Sequence, residues 1–317
     1  MMMGVATTLI GFLPTYQSIG VMAPLLLVVL RFVQGLAIGG QWGGAMLLVT
    51  ESAPKDQRGW YGAYAQAGAP VGVILANLAF LGVSASLSEA DFMDWGWRLP
   101  FIASFVLILI SMYVQLKLED TPAFKALAAN QAPKDAVQQT VVKSPVIEVL
   151  RRYPKRIVLA AGAFLSIQVT FYILIAFVVA YGVNSPTVTL SRDMMLTAVL
   201  VAAAIMVPSQ FYFSGLSDRL GRKTVYRWGA ILTGLWGFAL FPLIDTGQPV
   251  LICFAVTMGL VFLGMQYGPQ AAFFTELFST EVRYSGASLG YQLGAIVGGA
   301  LAPTIAVLLW NNFGIFW

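Results

Sequence analysis

The chain alternates long apolar runs with short polar breaks. Nine runs of about 20 residues stand at 1–19, 23–50, 60–83, 97–116, 157–182, 194–214, 226–244, 250–275 and 284–310. None shows the two-residue alternation of a half-buried strand or the charged face of a water-exposed helix. Runs of this length suit a helix that crosses the hydrocarbon core, where each backbone N–H and C=O has to be satisfied within its own segment. The pattern predicts an all-α integral membrane protein.

Composition agrees. The residues are 58% hydrophobic and 10% charged, against about 25% charged in a soluble domain. There is no histidine, and Cys253 is the single cysteine. That usage argues against disulfide frameworks, Cys/His metal sites, Cys–His dyads and imidazole relays. No catalytic constellation is present, so the chain is not read as an enzyme, and no cofactor is expected. The net charge of +4 is spread over loops rather than gathered in a patch with interleaved aromatics, so nucleic acid is not an expected partner.

Charge orients the spans. Alternating them puts 51–59, 117–156, 215–225 and 275–283 on one side, and these loops hold most of the Lys and Arg residues. The positive-inside rule assigns that side to the cytoplasm of a bacterial-type inner membrane. The opposite loops carry Glu89, Asp91, Asp94, Asp193 and Asp245. The 117–156 segment, with Pro122, Pro133, Pro145 and Pro154 and many basic residues, reads as a cytoplasmic linker held near anionic lipid.

The chain also repeats itself. Between "GGQWGGAMLLVTE" at 39–51 and "GMQYGPQAAFFTE" at 264–276, one offset of 225 positions pairs Gly39 with Gly264, Gln41 with Gln266, Trp42 with Tyr267 and Glu51 with Glu276. Arg58 pairs with Arg283 at the same offset. Such self-similarity marks a transporter built from two halves. The offset places counterparts of spans 157–182 and 194–214 before Met1 and a counterpart of 97–116 at about 322–341. The expectation is nine spans of twelve, with both ends truncated: an N-terminal half over 1–116 (spans three to six), the linker, and a C-terminal half over 157–317 (spans seven to eleven).

A polar knot, "GLSDRLGRKT" at 215–224, follows the second span of the second half. Twelve spans in two halves, a basic central loop and this knot together resemble the major facilitator superfamily. Gly215, Asp218, Arg219, Gly221, Arg222 and Lys223 fit its charged loop motif. "RFVQGLAIGGQWGGA", "RGWYGAYAQAGAPVG", "WGWRLPFIASFVL" and "VRYSGASLGYQLGAIVGGALAP" look like the metabolite:proton symporter subfamily. That resemblance implies secondary import of shikimate, 2-oxoglutarate, citrate or related carboxylates, or of proline and betaine, with the proton gradient as energy source.

Several residues stand out inside the spans. Arg31 is costly in an apolar helix unless it meets a wet cavity, a partner or the interface. It shares a helical stripe with Gln34 and Gln41. In the family, the R-x-x-Q-G pattern at 31–35 is associated with proton coupling, and a carboxylate substrate would suit Arg31. Gln41 departs from the subfamily's frequent GGEWGG wording, and an amide carries no proton. Gln41, Trp42, Gln266 and Tyr267 are expected ligand contacts, with interhelical ties as the alternative. Gln168, Tyr172, Tyr291 and Gln292 are weaker candidates of the same type.

Glu51 with Arg58, and Glu276 with Arg283, form two Glu-x6-Arg frames at the cytoplasmic ends, expected to latch that face as ion pairs. Gly215 is expected to permit close helix approach and Gly221 a turn. Asp218 is expected to accept from the N-terminal amides of the following helix or to pair with a nearby Arg. The function these features imply is proton-coupled uptake of a small organic acid or zwitterion by a bilayer-embedded protein, with a monomer as working expectation. The alternative is a truncated fragment without transport of its own.

Overall fold

The structure, a computed structural model, describes residues 1–117, 150–185, 188, 190–278 and 283–313, and only the backbone of Gly39, Gly40, Gln41, Gln115, Ala300 and Phe313. Most of the expected linker, 118–149, therefore lies outside the described residues. Among them every regular element is helical. They are α1 (Met2–Gly11), α2 (Tyr16–Ile19), α3 (Met22–Ser52), α4 (Arg58–Ser86), α5 (Glu89–Asp94), α6 (Leu99–Ala103) and α7 (Phe105–Lys117). Then follow α8 (Pro154–Tyr172), a π-helical stretch (Ile173–Phe177), α9 (Val178–Asn184), α10 (Arg192–Leu220), α11 (Arg222–Asp245) and α12 (Pro249–Glu276). The last are α13 (Arg283–Ala295), a second π-helical stretch (Ile296–Leu301) and α14 (Ala302–Phe313).

Eight helical segments among the described residues are long and apolar enough to cross a membrane. The run at 1–19 is the exception to the nine expected. It forms the short helix α1 and the turn α2, because Pro14 lacks an N–H and drives Leu13 away from helical dihedrals. Ten residues rise about 15 Å, roughly half the hydrocarbon thickness.

The described residues form two compact units, one of 1–42 with 75–117 and one of 43–74 with 150–313. Helices α3 and α4 contribute to both. In the first unit α1 lies on α6 and α7. Thr8 Oγ1 and Ser104 Oγ stand 3.1 Å apart in a hydroxyl hydrogen bond. Gly4 and Gly11 let Ile108 and Ile102 approach so closely that a Cβ would come within 2.5 and 2.7 Å of them.

In the second unit α8 packs along α13, and small residues set the spacing. Gly290, Gly294 and Gly298, four apart, face Ala160, Phe164 and Gln168, also four apart. Lipid offers no hydrophobic drive between helices, so close backbone approach supplies the dispersion contacts that hold the pair. Helix α10 packs on α12 and α12 on α11. Their core gathers Met195, Ala198, Ala202, Met206, Ile252, Val256, Leu260 and Leu263. Trp236, partly buried, packs against this core and donates Nε1–H to the Ala255 carbonyl at 2.9 Å, which removes the cost of an unpaired indole donor.

Candidate functional site

The knot after α10 is built by one glycine. Gly221 has φ 89° and ψ 141°, close to a region open essentially to Gly alone, and its N–H donates to the Ser217 carbonyl at 3.1 Å. The turn starts α11 at Arg222 and leaves Asp218 on the last turn of α10. Asp218 accepts from Gly59 N at 3.0 Å and Trp60 N at 2.9 Å. These are the first amides of α4, which have no intrahelical acceptor. The carboxylate also meets the positive end of that helix dipole. Arg222 reaches Asp218 at 2.5 Å.

The expected Arg pairing is therefore present, whereas the expected capping of the following helix is corrected to capping of α4. Gly59 makes this approach possible, since a Cβ there would strike Arg222, Ser214 O and Asp218. Gly215 lies against the Trp60 ring. Arg219 lines a surface cleft with Asp56, Gln57 and Trp60, and Lys223 is exposed.

The two Glu-x6-Arg frames come together. Thr50, Glu51 and Arg58 line one small enclosed space with their repeat counterparts Thr275, Glu276 and Arg283. One pair crosses between the frames, and the other takes its cation from the knot after α10. Glu51 Oε1 stands 3.2 Å from Arg283 Nη1, and Glu276 stands 3.6 Å from Arg222. Among the described residues no ion pair joins Glu51 to Arg58 or Glu276 to Arg283. The expected in-frame pairs are corrected accordingly: packing sets Glu51 against Arg283 of the second repeat and Glu276 against Arg222, at the start of α11.

The polar residues within the spans divide into two groups. In the first unit, Arg31 Nη1 donates to Gln34 Oε1 at 3.3 Å and Gln34 Nε2 donates to Thr7 Oγ1 at 2.7 Å. Arg31 is exposed and Gln34 buried. Trp42 is half-buried, and the Gln41 side chain lies outside the described atoms.

In the second unit, Tyr172, Tyr267 and Tyr291 lie near one another where α8, α12 and α13 pack. Gln168 shares a side-chain hydrogen bond with Tyr291. Gln292 Nε2 and, one turn before it, Ser288 Oγ are buried without a hydrogen-bond partner among the described residues. Gln266, expected as a ligand contact or an interhelical tie, bonds two neighbouring helices. It is fully buried, accepting from Ser166 Oγ at 3.1 Å and donating to Thr233 Oγ1 at 2.9 Å. It ties α8, α12 and α11 together.

Residues 1–303 match the Major Facilitator Superfamily. The chain belongs to that family. Within the superfamily it is similar to the inner membrane metabolite transport protein YhjE of Escherichia coli, 39% identical over 322 residues, which cover 99% of this chain and 70% of that protein. It is also 36% identical to the Escherichia coli shikimate transporter over 324 residues, 100% of this chain and 70% of that one. A proline/betaine transporter of the same organism is 31% identical over 312 residues, 97% and 61% of the two chains. Among solved structures, the proton:xylose symporter XylE superposes with a TM-score of 0.76 at 14% identity, over 98% of this chain and 72% of that one. This facilitator protein is thus a multi-pass membrane transporter of small molecules and not an enzyme.

Sequence reasoning missed a buried set in this transporter. Gln66 and Gln270 are each 1% exposed and Gln210 is fully buried. The Gln66 amide donates to Gln270 Oε1 at 2.8 Å and to the Tyr267 carbonyl at 2.9 Å. Gln66 lies 225 positions from Tyr291, so the repeat offset that picked out Gln41 and Gln266 points to it as well. Gln210 stands in the span 194–214, where no repeat partner within the sequence pointed to it.

Proposed function

We propose that the protein imports a small organic acid or zwitterion by proton symport, through alternating access in which the repeat halves, 1–116 and 157–317, rock about the basic linker. The carrying observation is the crossed bonding at the basic-loop end. Asp218 caps the N-terminus of α4, and Arg283 holds Glu51. Each bond joins a residue of the first repeat to one of the second, so each has to break when the halves part on that face. A half-buried, doubly engaged carboxylate makes a latch that closes one state without barring the other.

The charge asymmetry of the loops supports placing the latch at the cytoplasmic face of an inner membrane. Names borne by the relatives, shikimate and proline/betaine transporters, support a carboxylate or zwitterionic substrate. On this reading Arg31, held by Gln34, takes part in coupling. Tyr172, Tyr267, Tyr291, Gln168 and Gln292 offer substrate contacts, Gln292 being the one with an amide donor to spare.

Uptake of labelled shikimate and proline into vesicles carrying the protein tests the proposal. Accumulation that collapses when the pH gradient is dissipated is the expected result. Equal uptake with and without the gradient would reject proton coupling, and competition by 2-oxoglutarate, citrate and betaine would order the substrate classes.

A further inference from the structure

We propose that Gln66 and Gln270 form a closure tie, an amide pair that holds α4 against α12 only while the latch is closed and so positions Tyr267. The inference rests on the alternating-access reading and adds a residue that neither the charged motif nor the tyrosine cluster contains. Gln66 belongs to the first repeat and Gln270 and Tyr267 to the second.

Its Nε2 donates to two acceptors on α12, the Tyr267 carbonyl and Gln270 Oε1. Both glutamines are almost completely buried. An amide donor removed from water needs such acceptors, and losing them is costly unless water enters. Parting α4 from α12 takes both acceptors away together. The tie therefore favours the closed arrangement and is exchanged for water when the face opens.

The place of the tie on α12 matters as much as its strength. Pro269 stands inside the helix and lacks the N–H that would bond the Met265 carbonyl, which loosens the turn around Tyr267. Gln66 holds that turn from outside. The same turn carries the Tyr267 ring into the cluster with Tyr172 and Tyr291. Gly62, one turn before Gln66, lies against Ala271, whose Cβ would stand 3.1 Å from a Cβ placed at the glycine, so the small residue leaves room for the approach where the amides meet. One side chain thus connects closure of the loop face to the position of a tyrosine that the transport proposal places against substrate.

The test is made in the full chain with Cys253→Ala and Ala63→Cys. Ala63 is fully buried on α4 beside the tie, so a cysteine there reacts with N-ethylmaleimide only as the face opens. Gln66→Leu and Gln270→Leu should each raise the alkylation rate about 10-fold, and the double variant should go no further than either single, as expected for partners in one interaction. Gln66→Met, similar in length but without a donor, should behave as the Leu variant, and with Gln270→Met it decides the matter should the Leu variants fail to fold.

Gln210→Leu, buried in the neighbouring α10, should leave the rate unchanged. Unchanged rates in the Gln66 and Gln270 variants, multiplying effects in the double variant, or equal acceleration by Gln210→Leu would each overturn the tie. Asp218→Asn is run alongside. If the Gln66 variants accelerate alkylation and Asp218→Asn does not, the latch reading fails while the tie stands; the reverse result removes the tie alone.

Discussion

The Glu51 carboxylate accepts from the Arg283 guanidinium at 3.2 Å across 232 positions of sequence, while the arginine seven positions after Glu51 bonds neither latch carboxylate. Both side chains are largely shielded, at 16% and 19% exposure, so this pair is neither a loose surface ion pair nor free of desolvation cost. Glu51→Gln and Arg283→Gln should each weaken closure, and the double variant should show a coupling of about 1–2 kcal/mol. Cysteine accessibility at the loop face, measured around the cycle of four proteins, reads that coupling.

Asp218→Asn removes the charge facing Arg222 and one acceptor of the α4 cap. Loss of a helix cap and its dipole interaction costs about 1 kcal/mol. The variant should transport more slowly with an unchanged order of preference among competing substrates. A changed order in the competition assay would place Asp218 at the substrate instead.

Gly221→Ala forces a side chain into backbone dihedrals that L-residues avoid, at about 1–3 kcal/mol. Open space surrounds the position, so strain rather than collision sets the effect. The detergent-solubilised variant should melt several degrees lower, whereas Gly162→Ala, with nothing within 4 Å of the new methyl and helical dihedrals, should keep or slightly raise Tm.

Gly294→Leu tests the α8 and α13 pairing. A Cβ at Gly294 would fall 2.6 Å from Phe164 Cβ and 2.9 Å from the Ala161 carbonyl, and backbone cannot give way as a flexible side chain does. Loss of monodisperse protein on size-exclusion chromatography is the expected outcome. Normal yield and Tm would show that the two helices separate without penalty.

Much of the fold and part of the site were legible along the chain. Apolar run length is a local property that lipid reads directly, so eight of the nine expected spans and the fold class followed from composition and order. The 225-position offset named Gln41 and Gln266 as equivalents and set Glu51, Arg58, Glu276 and Arg283 in register. Gly221 was readable as a turn because only its backbone freedom suits a reversal between two helices. Pro14 was equally visible, but the uniform hydrophobicity around it masked the break at Phe12–Thr15.

What the sequence by itself determined, then, is a helical membrane transporter of the facilitator superfamily, together with the residue types of its charged cluster at 51, 58, 215–224, 276 and 283. Only the tertiary structure decided the partners. Glu51 takes Arg283, Asp218 caps α4 and Gln66 meets Gln270 because packing brings elements some 160–230 positions apart within 3 Å or so. A carboxylate or amide in a low-dielectric interior bonds whatever donor or acceptor stands nearest, and proximity across repeats leaves no periodic trace along either one.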